Sequence, residues 1–327
     1  MSDLMPPTID DIRNAARRID GYAVRTPLLE SHLLSEQMGA RILIKPECLQ
    51  RVGAFKFRGA FNRLSQLSEE EKKIGVVAFS SGNHAQGVAA AAKILGIKAT
   101  IVMPSDAPKM KRDNTIAYGA KVVGYDRENE DREQVAAKIV GDSGAVVVPP
   151  FEDPDIIAGQ GTAALEVVEQ AAKSGVKLDQ FLCPVGGGGL LSGCSTVFSA
   201  LSGDTEVFGV EPKDFDDVAR SLALGEIQEN ASQSGSICDA LMTPSPGKLT
   251  YQIIKENVSD ILRVSDEEVL AAIKYAWEKL KLVVEPGGAV ALAAVLSGKV
   301  DVQGKTVCIL LSGGNVDAET YKRALEI

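Results

Sequence analysis

Histidine is nearly missing from this chain: only His32 and His84 occur in 327 residues. His32 sits in an ordinary amphipathic helical pattern and no G-x-S-x-G elbow is present, so a serine hydrolase is not expected. Cysteine is sparse too. Cys48, Cys183, Cys194, Cys238 and Cys308 are scattered, odd in number and never in C-x-x-C spacing. They read as reduced, mostly buried thiols of a cytoplasmic protein, neither zinc ligands nor a disulfide framework. Basic charge is in deficit: 35 Lys and Arg face 44 Asp and Glu, a net charge of -9. Nucleic acid is therefore not an expected partner, because phosphate binding wants a basic surface. No apolar run reaches the roughly 18 residues that cross a bilayer, the stretch 288–296 being half that length, so no membrane partner is expected. A basic segment followed by an apolar one is absent from the first residues, and no signal peptide is visible.

What is present is a rhythm. Short β-branched runs at 41–45, 75–79, 99–103, 121–125, 145–148, 181–185, 207–210 and 306–311 alternate with helical patterns such as 87–95, 133–140, 162–172 and 267–280. With 31 glycines and 45% hydrophobic residues, this predicts an α/β protein with parallel sheets and ligand sites at strand C-termini. The four strands between 75 and 151 could close as a small sheet domain inserted into a larger one. Neither an internal repeat nor a long linker separates them.

Four turns stand out. In Gly53-Ala54-Phe55-Lys56-Phe57-Arg58-Gly59-Ala60 a lysine lies between two phenylalanines just after a strand. Desolvation there lowers a lysine's pKa and frees the amine as nucleophile or base, although a lysine snorkelling past core aromatics has the same pattern. Ser80-Ser81-Gly82-Asn83-His84-Ala85-Gln86-Gly87 follows a strand and opens a helix, where hydroxyls and orphan amides favour a carboxylate. Gly186-Gly187-Gly188-Gly189-Leu190 follows the apolar strand at 181–185 and suits a phosphate. A dinucleotide is the other reading of that loop, with Glu211 placed as a ribose-binding acid, but the G-x-G-x-x-G spacing is not cleanly met. Ser312, in Leu311-Ser312-Gly313-Gly314-Asn315, would project from the last strand into the same crevice.

Together with Ile157-Ala158-Gly159-Gln160-Gly161-Thr162, Gly209-Val210-Glu211-Pro212 and Val284-Glu285-Pro286, these segments resemble the fold type II (tryptophan synthase β-like) pyridoxal-phosphate enzymes. The likeness is to the serine racemase and serine/threonine dehydratase group, from about residue 8 onward in unbroken order. It implies two interleaved domains, 1–74 with 152–327 and 75–151, each with a mostly parallel sheet flanked by helices. By resemblance Lys56 carries the Schiff base and later removes the Cα proton. Phe55, Asn83, Ser312 and Gly186, Gly187, Gly188, Gly189 with Leu190 hold the cofactor. Ser80, Ser81, Asn83 and His84 hold the substrate carboxylate. Glu211 and Asp217, with the Phe215 carbonyl, look like a divalent-cation site for Mg2+, with Mn2+ or Ca2+ as alternatives; a solvated acidic loop is the plainer reading.

The expected activity is an ammonia-lyase (dehydratase) acting on L-threonine, L-serine or 3-hydroxyaspartate, with serine racemase as the rival. Ser81 matches the serine that reprotonates the opposite face in racemases, whereas Phe151 resembles threonine dehydratases. Arg132 matches an arginine presented to the substrate's distal end and could read a second carboxylate bidentately, or simply pair with neighbouring acids. A non-catalytic sensor would be expected to have lost the lysine or the glycine loop, and both are intact. The chain ends one helix after Ser312, so a C-terminal regulatory module is not expected, and a homodimer is expected from the resemblance.

Overall fold

The computed structural model describes residues 4–80, 82–107, 109–126, 129–232 and 234–327, without the side chains of Met110, Arg132 and Glu133. Ten strands are found among the described residues: β1 (Leu29–Glu30), β2 (Arg41–Pro46), β3 (Val76–Phe79), β4 (Ala99–Pro104), β5 (Lys121–Tyr125), β6 (Val146–Val147), β7 (Gln180–Pro184), β8 (Glu206–Pro212), β9 (Asp260–Val264) and β10 (Thr306–Leu311). One sheet has the order β1-β2-β10-β7-β8-β9, the other β5-β4-β3-β6. Only β1 runs antiparallel to its neighbour; all other pairings are parallel. The eight expected strands are all present, within two residues of their expected ends. β1 and β9 are additional.

The larger sheet is covered on both faces, which is why its strands read as continuous apolar runs. Alternate residues feed opposite cores. Ile42, Ile44, Ile309 and Leu311 pack on the helix Pro286–Leu296 side, while Leu43, Cys308 and Leu310 face Phe181 and Phe198. The apolar run at 288–296 is thus a core helix, with Ala289 through Val295 fully buried. Among the described residues no helix is long and apolar enough to cross a membrane.

Three helices meet through glycine. On Pro154–Lys173, a Cβ at Gly159 would lie 2.5 Å from the Cα of Gly59, on helix Lys56–Ser65. A Cβ at Gly193, on helix Gly189–Leu201, would lie 2.4 Å from the Ile157 carbonyl oxygen. Backbone therefore touches backbone along both contacts, and no side chain fits between. This is the physical content of the I-A-G-Q-G-T segment: it sets the spacing between the helix that begins at Lys56 and the helix that begins at the glycine loop.

Candidate active site

The turn that presents Lys56 is strained and pinned. Val52 adopts φ 61°, ψ 10°, a left-handed conformation that is unfavourable for a β-branched residue. Its carbonyl accepts from Asn315 Nδ2 at 2.8 Å, Gly314 N donates to the Gly53 carbonyl at 2.8 Å, and Phe55 N donates to the Ser312 carbonyl at 3.1 Å. The turn is thereby fixed to the C-terminal end of β10. Lys56 itself starts the helix Lys56–Ser65, its ammonium donating to the Pro150 carbonyl at 2.7 Å, 5.3 Å from the Phe55 ring centroid. Although the side chain keeps some exposed surface, desolvation pulls its pKa down to about 8.

Below this turn lies a charged cluster almost without solvent contact. Arg58 donates to both oxygens of Glu47 (2.7 and 2.8 Å) and of Glu166 (2.7 and 3.0 Å), and Lys45 donates to Glu166 at 2.6 Å. Thr26 adds a hydroxyl to Glu47 at 2.6 Å and Thr162 accepts from Arg58 at 3.2 Å. Two positive and two negative groups balance. Burial would raise the Glu47 carboxyl, but the charge and hydrogen bonds of Arg58 outweigh it and hold it below its ordinary value. The network ties the Lys56 helix to β2 and to helix Pro154–Lys173.

Around Lys56 opens a cleft of about 1200 Å³, counting its mouth. One wall is the start of helix Asn83–Leu95. Ser80 Oγ accepts from Gly82 N at 3.1 Å, and Asn83 donates to Glu285 at 2.5 Å while accepting from Asn315 at 2.8 Å. His84 Nε2 faces the Val148 carbonyl at 2.9 Å, so it carries the proton and Nδ1 is an acceptor. Burial first, then the Lys56 charge, lowers its pKa to about 3, and the imidazole is neutral. The floor is the glycine loop. A Cβ on Gly187 would fall 2.2 Å from the Phe151 ring, one on Gly189 3.0 Å from Phe151 Cβ, and Gly188 sits at φ +94° against Thr250. Larger residues are thus excluded, and the first-turn amides of helix Gly189–Leu201, which lack intrahelical partners, lie beside the cleft. Ser312, at the end of β10, completes the lining.

The structure brings together Phe55, Lys56, Ser80, Asn83, His84, Gly186 to Gly189, Leu190 and Ser312 in this one cleft. Ser81 lies outside the described residues, and so does the side chain of Arg132, whose backbone begins the helix Arg132–Ser143. Glu211, Phe215 and Asp217 stand apart, at the end of β8 and the start of helix Asp217–Leu224. Glu211 accepts from Ala219 N at 2.9 Å and Asp217 from Asn230 at 2.7 Å, while the second oxygen of each is buried without a protein partner. Among the described residues no group of three or more His, Cys, Asp or Glu side chains forms a metal cluster.

Three ionisable lining residues went unread as site residues in the sequence. Glu285, caught only as part of V-E-P, is buried against Asn83; burial and the Asp239 charge raise its pKa to about 7, against the Asn83 hydrogen bond and the Lys111 charge. Lys111 and Asp239 form an ion pair across the lining, from segments 128 residues apart. Only contact across the fold reveals such a pair; its local sequence carries no signal.

The family described as pyridoxal-phosphate dependent enzyme matches residues 19–313. The chain is 45% identical over 318 residues to the L-threo-3-hydroxyaspartate ammonia-lyase of Saccharomyces cerevisiae, covering 97% of this chain and 96% of that one. It is 44% identical over 326 residues to the serine racemase of Schizosaccharomyces pombe, with 99% of each chain covered. The crystal structure of T.th. threonine deaminase superposes with a TM-score of 0.91 at 46% identity, covering 95% of this chain and 99% of that chain. The chain belongs to the pyridoxal-phosphate-dependent enzymes, and its fold is that of fold type II.

Proposed function

We propose that this pyridoxal-phosphate enzyme is an ammonia-lyase that takes water from small β-hydroxy amino acids and yields a 2-oxo acid and ammonia. The observation that carries this reading is the cleft itself: a desolvated lysine, a glycine-lined helix start and a second helix start converge on it. The residues fit the cofactor. A side chain at Gly187, Gly188 or Gly189 would collide with Phe151 or Thr250, so only bare backbone faces the place where a phosphate would sit. Lys56, Phe55, Asn83, Gly186 to Gly189, Leu190 and Ser312 would hold the group. When bound, it supplies an electron-withdrawing ring that acidifies the substrate's Cα.

The chain's own groups would do the rest. Lys56, with an amine pKa near 8, takes the Cα proton. Ser80, Asn83 and the opening amides of helix Asn83–Leu95 would hold the substrate carboxylate, with Ser81 assigned to it by resemblance alone; His84 lends shape and a lone pair, not charge. Ser312, on the cleft lining, would offer the group a hydroxyl rather than a carboxylate, which would suit prompt departure of the β-hydroxyl.

The named relatives support L-threonine and 3-hydroxyaspartate as substrates; L-serine is a candidate by the resemblance. The second reading, serine racemase, is supported by the Schizosaccharomyces relative and by Ser81 as the opposite-face proton donor. Product analysis separates them. The holoenzyme is offered L-serine, L-threonine and both diastereomers of 3-hydroxyaspartate, with 2-oxo acid and D-amino acid measured by chiral chromatography. Dominant oxo acid is expected, and dominant D-serine would replace the lyase with a racemase.

Glu211, Asp217 and the Phe215 carbonyl make the proposed divalent-cation site, supported by the two orphaned carboxylate oxygens. Magnesium should raise the melting temperature of the protein, and Asp217→Asn should abolish the rise. We further assign 75–151 to a small domain around β3–β6 and 1–74 with 152–327 to a large one. A homodimer, on the strength of the resemblance, and a cytoplasmic location, on the strength of the free cysteines, complete the reading.

A further inference from the structure

We propose that Lys111 reads a second carboxylate on the substrate, so that the cleft selects a dicarboxylic β-hydroxy amino acid over serine or threonine; the inference rests on the lyase reading above. The argument begins by matching anions to donors. A bound cofactor phosphate has the helix start at Gly189, and the substrate α-carboxylate has the helix start at Asn83. Lys56 is committed to the chemistry, and His84 is neutral. Among the described side chains, Lys111 is the cation that remains on the lining.

Its present partner is easily displaced. The Lys111 side chain is 12% exposed, whereas that of Asp239 is 46% exposed. An incoming carboxylate can take the place of Asp239, which then turns to water at little cost, while the lysine stays paired throughout. Serine and threonine bring no second anion and leave the pair closed. The Lys111 charge also opposes the rise in Glu285, and Glu285 is bonded to Asn83.

The test compares holoenzyme variants by the ratio of kcat/KM for 3-hydroxyaspartate to kcat/KM for L-serine. Removing a charge-assisted contact of this kind should lower that ratio about 10- to 100-fold in Lys111→Gln, and Lys111→Arg should restore most of it. Calorimetry supplies an arm that needs no turnover: succinate should bind Lys111→Gln more weakly by a similar factor, butyrate within about 2-fold of wild type. Asp239→Asn, which frees the lysine, should tighten succinate. A ratio that stays within about 3-fold of wild type, equal losses for succinate and butyrate, or a ratio that falls only in Arg132→Gln would overturn the assignment. If the wild-type protein turns over none of the amino acids, the lyase reading fails, and the succinate arm still decides Lys111.

Discussion

Replacing Arg58 by methionine should cost this protein several degrees of melting temperature, and the loss should depend on pH in a defined direction. Arg58 is fully buried and serves both Glu47 and Glu166; without it Lys45 alone faces two carboxylates, leaving one uncompensated negative charge in the interior. Breaking a buried pair from one side costs about 3–5 kcal/mol. A chain of 327 residues unfolds with an entropy of roughly 0.7 kcal/mol per kelvin, so the melting temperature should fall by about 4–7 °C. In the wild type the Glu47 carboxyl is held below its ordinary value, so its ionised form stabilises the fold above that value and the benefit is lost as pH falls through the depressed one. In Arg58→Met the remaining carboxylates should titrate high instead. The deficit should then be full at about pH 8 and shrink towards about pH 5, where protonation removes the stray charge. Differential scanning calorimetry at both pH values measures this, with Arg58→Met/Glu47→Gln as the neutral control expected to recover part of the loss. A fall of less than about 1 °C, or a double variant no more stable than the single, would refute the account.

Cofactor loading offers the next test. If the Lys56 amine has a pKa of about 8 rather than 10.5, about a tenth of it is free at pH 7, and the rate at which the apoprotein takes up pyridoxal phosphate should rise through pH 8 and level off above it. A rate still climbing at about pH 10 would contradict the desolvation argument. Gly187→Ala should weaken cofactor retention by about 10-fold or more in equilibrium dialysis, because its methyl would meet the Phe151 ring. Pairing it with Phe151→Ala should recover part of the loss, whereas no recovery would mean that the loop amides, not the ring, are the sensitive element.

Much of the architecture was readable because its signals are local. The runs at 121–125 and 306–311 are strands at the expected ends, and the turns flanking Lys56, Asn83, Gly186 and Ser312 carry their chemistry in consecutive residues. β9 escaped because Asp260 and Arg263 interrupt it: as an edge strand it buries only Ile261 and Val264 fully. Helix Asn83–Leu95 starts four residues before the helical pattern at 87–95, within the segment read as opening a helix. Lys45 was legible as the end of a strand and nothing more, since the partners that make it a buried cation lie over a hundred residues away. Glu285 and the Lys111–Asp239 pair were hidden for the same reason.

The glycine contacts among helices Lys56–Ser65, Pro154–Lys173 and Gly189–Leu201 have an engineering corollary. They place the proposed covalent and phosphate attachment points on one solid block, with no side chain left between its parts to repack. Lys111 and Asp239 come from segments outside that block. Libraries aimed at new substrates therefore belong at the exposed positions around Lys111 and Asp239, away from the block proposed to grip the cofactor.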